Sequence, residues 1–266
     1  MTQPVIPSPA ATLVLLRDRP PMEVEALLLQ RHARSKFAAG DYVFAGGKIE
    51  ADDMPPDGEG FCRGLAAGQA AVLLGGGLAP RDALSYWVGA IREAFEEVGV
   101  LLAYEADGRL LRIAPEAKPR YEGYRTACQG ANPAFFDMLR AEHLTLATDR
   151  LGYFAHWITP EEQPLRFDTR FFAAVMPPGQ EPVVDGHEIV DLKWLTPAEA
   201  ISASARKDIG LRNPTIKNLE LVAAGGGPAS RVVESLGRRE VQTIRPRVLH
   251  VDGKPLAVLP GDPRWY

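Results

Sequence analysis

Short apolar blocks broken by prolines and glycines set the rhythm of this chain. Ala11 to Arg17, rich in Leu and Val, reads as a strand, and Pro20-Pro21 mark a turn after it. Val24 to Arg31 is almost wholly apolar and reads as a central strand. Tyr42-Val43-Phe44 is a short strand running into Gly46-Gly47, and Asp52 to Gly60 is a loop by its prolines, glycines and acids. Phe61 to Leu74 is rich in Ala and Leu and predicts a helix, stopped by Gly75-Gly76-Gly77. The clearest helix covers Asp82 to Val98, with Leu84, Val88, Ile91, Phe95 and Val98 near the 3.6-residue period, Pro80 before it and Gly99 after it. Val100 to Tyr104 predicts a strand, Asp107-Gly108 a turn, and Asn132-Pro133 opens a helix to about Glu142. Leu151 to Thr159, Thr169 to Val175 and Ile189 to Leu195 read as strands. Thr196-Pro-Ala-Glu199 is a capping box opening a helix to about Ala205. Short helices follow at Thr215 to Ala224 and Pro228 to Arg238, and 259 to 263 reads as a surface turn. The pattern predicts an α/β (α+β) domain, a mixed sheet sandwiched between helices.

The 266 residues suit one large domain or two small ones. A net charge of −4 argues against a nucleic-acid partner; the basic residues Arg238, Arg239, Arg245 and Arg247 are interrupted by Glu240 and read as solvated surface. Cys62 and Cys128 follow no metal spacing and imply no disulfide framework. The first residues read as no signal peptide, no apolar run reaches the ~20 residues of a membrane span, and the last four are no peroxisomal address. A cytoplasmic protein without a membrane partner is expected.

The candidate chemistry lies in Ala90-Ile-Arg-Glu-Ala-Phe-Glu-Glu-Val-Gly99. Glu93 pairs with Glu96 and Glu97 at i,i+3 and i,i+4, so three carboxylates are neighbours on one helix. Like charges at that spacing each destabilise by a few tenths of a kcal/mol. The helix dipole disfavours anions in the last turn by roughly 0.3–1 kcal/mol each. Local rules broken twice in one turn mark a place where function overrides stability. A divalent cation would remove both penalties, and Mg²⁺ or Mn²⁺ favours carboxylate oxygens. A solvated Glu-rich face is the plain alternative. Upstream, Phe44-Ala45-Gly46-Gly47 lets backbone approach a ligand closely, with N–H groups able to meet phosphate oxygens.

Together the two segments resemble the box of the Nudix hydrolases: Gly, five residues, Glu, seven residues, then Arg-Glu-apolar-x-Glu-Glu-x-Gly-apolar. The second half matches at Arg92, Glu93, Ala94, Glu96, Glu97, Gly99 and Val100, and Gly47 matches the opening glycine. Asp53 stands where the family has Glu, and 54–91 replace the usual seven residues, so about 31 extra residues split the box. An interrupted box, with Leu28-Leu-Gln-Arg31, Arg166-Phe-Asp-Thr-Arg-Phe-Phe172 and Trp194 with Pro197 and Glu199, resembles the branch that contains coenzyme A diphosphatases of the peroxisomal type.

The resemblance spans 10–220 as a Nudix domain with an insertion at about 54–81; 221–266 is expected to be an extension packed on the same domain. It implies metal-dependent hydrolysis of a pyrophosphate in a nucleoside diphosphate derivative, coenzyme A or acyl-coenzyme A first, with ADP-ribose or a dinucleotide as the alternative. A non-catalytic nucleotide-binding module on the same fold is a third reading. The implied metal residues are Glu93, Glu96 and Glu97. Glu96 or Glu97 orients water and Arg92 orients the glutamates. Gly46, Gly47, Arg31 and Arg34 are expected at the substrate phosphates, and Asp53 and Glu188 are auxiliary candidates. Arg166 and Arg170 invite the surface reading, and His32 and His156 the structural one. The insertion is expected near the substrate mouth or at a subunit contact, and a homodimer is expected by resemblance.

Overall fold

The structure is a computed structural model and describes residues 5–130, 133–251 and 254–265. β1 (Ser8–Arg19) is the spine of an eight-stranded mixed sheet. Its second half pairs antiparallel with β2 (Glu23–Arg31) from Leu16↔Ala26 to Arg19↔Glu23. Its first half instead takes β4 (Ala45–Lys48) as partner, from Ala10↔Lys48 to Leu13↔Ala45. β1 and β2 therefore diverge, and β3 (Tyr42–Val43) stays on β2. On its other edge β1 runs parallel to β8 (Phe167–Val175), which pairs antiparallel with β7 (Gly152–Ile158). β9 (Ile189–Leu195) pairs with β2. The resulting order is β10-β7-β8-β1-β2-β3, where β10 (Thr243–Ile244) is a parallel edge strand on β7.

Alternation along the central strands gives the sheet two apolar faces. Leu13, Leu15, Leu27, Leu29 and Phe172 point to one, and Val14, Leu16, Leu28 and Phe171 to the other. The first face packs on α2 (Pro80–Val98) with α1 (Ala67–Leu74), α3 (Lys118–Gly130) and α4 (Pro133–Ala141) around it. A small ladder of β5 (Ala103–Tyr104) and β6 (Thr145–Leu146) closes that layer. The second face is covered by α6 (Asn213–Gly225) and α7 (Ala229–Gly237), through Leu219, Val222, Val232 and Leu236. The expected sandwich is therefore present. α5 (Pro197–Ala205) starts on the predicted capping box, with Glu199 N–H donating to Thr196 Oγ1 at 3.2 Å and Thr196 N–H to Glu199 Oε2 at 2.9 Å.

Several expectations change. The helix predicted for Phe61 to Leu74 is confined to α1, because Phe61 closes a 3₁₀ turn and Cys62 to Ala66 are irregular, with a bend at Gly64, φ +78°. Arg63 instead anchors there, its N–H donating to Leu146 O and its carbonyl accepting from Asp149 N–H. The strand at Val100 to Tyr104 shortens to β5. α3 is an element that periodicity does not reveal: its buried residues are Tyr121, Arg125 and Cys128, so an arginine sits on the inner face. A hairpin of β11 (Arg247–Val251) and β12 (Lys254–Val258) follows β10 and was not expected. Asn132, read as a helix opener, lies outside the described residues, as do Met1 to Pro4 and Tyr266. Cys62 and Cys128 are free, and burial pushes both thiols up to about 12. Among the described residues no helix is long and apolar enough to cross a membrane.

Candidate active site

α2 carries the three glutamates into the divergence between β1 and β2, where β4 runs beside it. The close approach explains the glycines. A Cβ on Gly47 would stand 2.5 Å from Glu93 Oε1, and one on Gly46 would stand 2.4 Å from Ala11 O in the neighbouring strand. A side chain at Gly46 would break the strand pairing, and one at Gly47 would push the Glu93 carboxylate out of place. Gly46 N–H donates to Glu97 Oε2 at 3.0 Å. The glycine pair thus first accommodates the helix carboxylates, and Gly46 also borders open space.

Arg92 is the hub and is only 2% exposed. Its Nε donates to Asp53 Oδ1 at 2.5 Å and its Nη2 to Asp53 Oδ2 at 3.1 Å. Nη1 reaches Glu93 Oε1 and Glu96 Oε2, both at 3.0 Å, and Nη2 also donates to Lys48 O at 2.9 Å. One guanidinium therefore ties the loop to two of the three glutamates. Asp53 has kept the contact expected of a longer Glu. The missing methylene is made up by a 3₁₀ turn, Ala51–Asp53, that brings the carboxylate in, with Glu50 N–H donating to Asp53 Oδ2 at 2.8 Å. Gly89, in the middle of α2, makes room: a Cβ there would stand 2.7 Å from Ile49 Cδ1 and 3.0 Å from Asp53 Oδ2. Burial works against charge on Arg92, but Asp53, Glu93 and Glu96 outweigh it and raise its pKa above the ordinary arginine value.

The glutamates carry the opposite strain. Burial pushes Glu93 up to about 7, with Arg92 opposing and Glu96 adding to the rise. Glu97 lies well above the ordinary carboxylate range, from burial first and then from the charges of Glu93 and Glu188. Glu96 is raised by burial, against Arg92, and its Oε1 is buried with no hydrogen-bond partner. Among the described residues no three acidic, histidine or cysteine side chains already converge on a point fit for a cation.

Two unexpected residues hold the end of the helix. Arg125 of α3, 2% exposed, donates to Glu96 O at 3.0 Å and to Glu97 O at 2.7 Å, and Gln129 donates to Glu96 O at 2.8 Å. These cations and donors meet the carbonyls that a helix terminus leaves open, and offset the dipole that disfavours the two carboxylates. Arg125→Ala is expected to lower stability by about 2–3 kcal/mol, as for loss of charged, buried hydrogen bonds. Urea unfolding checks this; an unchanged midpoint would contradict it.

Arg31 stands beside the carboxylates, with Nη1 3.7 Å from Glu97 Oε1, Nε donating to Phe37 O at 3.1 Å, and Nη2 in contact with Glu188. Glu188 is positioned by Asp185, whose Oδ1 accepts the N–H groups of His187, Glu188 and Ile189 at 2.9–3.0 Å. Arg34 is exposed on the same loop and does not line the cavity beside Arg31, whereas Lys36 does. A cavity of about 630 Å³ opens beside Arg31 and Gly46 on the second face of the sheet. Phe44, Trp157, Phe167 and Phe171 line it, with Lys36 and Arg212 among its cations.

Arg166 and Arg170 are buried and not surface residues. Arg166 donates to Thr159 O at 3.1 Å and Val5 O at 2.5 Å. Arg170 contacts Asp168 and His156 and lies over the Tyr86 ring. His156 is structural as expected, with Nε2 2.5 Å from Asp168 Oδ1 and Nδ1 2.7 Å from Thr243 Oγ1. No residue of 54–81 borders the cavity; the insertion packs on α2, α4 and β6 instead. Phe61 meets Phe136 edge-on and Arg140 reaches Asp57 at 2.8 Å, so this segment has its own partners on the first face.

Acyl-coenzyme A diphosphatase NUDT19 of Xenopus laevis is 28% identical over 214 residues, covering 67% of this chain and 54% of the relative. The protein of the same name from Homo sapiens is 29% identical over 282 residues, covering 91% and 73%. The chain thus spans about half the length of the first relative. A Nudix hydrolase from Alicyclobacillus acidocaldarius shares the fold, with a TM-score of 0.65 at 24% identity over 83% of this chain and 92% of that one. Residues 74–222, more than half of the chain, match the family profile of the NUDT19 Nudix domain, and the chain belongs to that family.

Proposed function

We propose that this chain is a divalent-metal-dependent diphosphatase that cleaves the pyrophosphate of coenzyme A or an acyl-coenzyme A. The observation that carries the reading is the set of three largely enclosed, under-compensated carboxylates on α2, which Gly46 N–H and Arg31 link to the 630 Å³ cavity. The relatives named as acyl-coenzyme A diphosphatases support the substrate class.

The donor set fits a hard cation. Oxygen ligands suit Mg²⁺ or Mn²⁺, and Arg92 and Arg31 compensate the three carboxylates only in part: Glu96 Oε1 has no hydrogen-bond partner, and Glu93 and Glu97 stay raised. Glu93, Glu96 and Glu97 would hold it. The ion supplies charge neutralisation at the pyrophosphate and lowers the pKa of water. Glu97 or Glu96 would also orient the attacking water and accept its proton. Arg92 and Asp53 hold the glutamates in place from behind, so Arg92 is a positioning residue. Arg31 faces the phosphates as a planar cation, a geometry that suits bidentate oxygen contact, while Glu188 fixes its direction. The lining aromatics keep water from the bound organic part of the substrate.

Product analysis tests the reading. With Mg²⁺ or Mn²⁺ the chain is expected to convert coenzyme A to adenosine 3′,5′-bisphosphate and phosphopantetheine, and Glu97→Gln to lower kcat at least 100-fold. Preferred cleavage of ADP-ribose or a dinucleotide would move the substrate class. No cleavage of any of these with either metal would overturn the diphosphatase reading.

A further inference from the structure

The C-terminal hairpin is a wall of the cavity, although the family match ends at residue 222. Pro246, Val248 and Ala257 line the same space as Gly46 and Arg31. Gly46 and Thr12 mark the end at the glutamates, and Thr12 pairs with Phe171 of β8. Thr169 of β8 pairs with Trp157 of β7, and Trp157 with Ile244 of β10. From β4 across β1, β8 and β7 to β10 is four strand spacings, roughly 15–20 Å. What the hairpin meets lies that far from Gly46, the end at which the proposed function puts the phosphates. A base joined through a single ribose ends well short of it, whereas a long, flexible, largely apolar arm reaches it. Ile158 and Leu165 line the same cavity as Pro246, Val248 and Ala257 and add to its apolar surface.

The wall is anchored to the sheet. β10 adds a parallel edge to β7, and Thr243 lies 2.7 Å from His156 Nδ1. The Thr243 hydroxyl and His156 Nδ1 thus share a hydrogen bond, while Asp168 and Arg170 meet the other ring nitrogen. The buried polar cluster of His156, Asp168 and Arg170, which the catalytic account leaves unused, thereby fixes where the hairpin begins.

We infer that Pro246, Val248 and Ala257 form a specificity wall that receives the distal, acyl-bearing arm of the substrate, held in place by Thr243 on His156. This rests on the diphosphatase reading for its substrate.

The test uses the full chain with Ala257→Trp and Val248→Trp, each narrowing the far end of the cavity. The probes are lauroyl-coenzyme A and ADP-ribose, which share an adenosine diphosphate and differ in the 3′-phosphate of coenzyme A and in all that lies beyond the pyrophosphate, so only the change of their ratio between variants is read. The ratio of kcat/KM for lauroyl-coenzyme A over ADP-ribose is expected to fall about tenfold or more in both variants, through KM. Thr243→Val shifts the ratio in the same direction and less. Calorimetric binding of the two probes to metal-free protein reads the wall without turnover, and selective weakening for lauroyl-coenzyme A is expected there too. A ratio and binding unchanged within twofold in both folded variants would overturn the inference and leave the diphosphatase reading intact. Absence of turnover with acyl-selective binding would sink the activity and keep the wall. Absence of binding by the unaltered chain would overturn the wall.

Discussion

Arg92→Met, with Asp53 left in place, is expected to lower the melting temperature by roughly 10 °C. Asp53 has 0% side-chain exposure and Arg92 3%. Removing the cation strands a buried carboxylate, which costs about 3–5 kcal/mol, and one kcal/mol is worth about 2–4 °C in a chain of this size. The effect is large because Arg92 also satisfies Glu93, Glu96 and Lys48 O. The double variant Arg92→Met with Asp53→Leu should recover part of the loss, since both charges leave together. Differential scanning calorimetry decides this. A shift below about 2 °C in the single variant would show that the pair does not stabilise the loop on the helix.

Glu93→Gln is expected to act in the reverse sense on the metal-free chain. Burial raises Glu93 from its ordinary value near 4.5 to about 7 in the folded protein. The folded state then binds more protons than the unfolded state between those values, so stability falls as pH rises from about 4.5 to 7 and stays low above. Glutamine carries no such charge. At pH 8 the metal-free variant should therefore be more stable than the unaltered chain by roughly 1–3 kcal/mol, and the gap should close towards pH 5. Saturating Mg²⁺ or Mn²⁺ should reverse the order, because an ion that binds only the folded state stabilises it by mass action. Thermal melts from pH 5 to 8, with and without metal, check both halves. Parallel pH profiles for the two proteins would show that Glu93 is not strained in the fold.

The glutamate helix was legible because its features are local: a 3.6-residue apolar period, a proline at its start and Gly99 as its left-handed cap. The close set of Glu93, Glu96 and Glu97 followed from spacing alone. The role of Asp53 did not, since it depends on a 3₁₀ turn and on Gly89 clearing space in a distant helix. Arg125 was hidden for a different reason. It occupies a buried position of α3 and so breaks the very period by which a helix is recognised. β4 was read only as a glycine loop because Gly46-Gly47 have no strand propensity; pairing with β1 makes it a strand. The hairpin had a signal, Asp252-Gly253 between two apolar runs, that went unused. The insertion packs its apolar side chains on the sheet face that α2 occupies and lines none of the cavity on the other face, a placement that sequence order does not encode.

Manganese titration of the metal-free chain, read by electron paramagnetic resonance, tests most directly whether the α2 carboxylates form the metal centre. The account predicts bound Mn²⁺ in the unaltered protein, loss of that binding in Glu97→Gln and Glu93→Gln, and retention in Arg34→Ala, since Arg34 is exposed and does not line the cavity. Equal Mn²⁺ binding by the glutamate variants and the unaltered chain would contradict it.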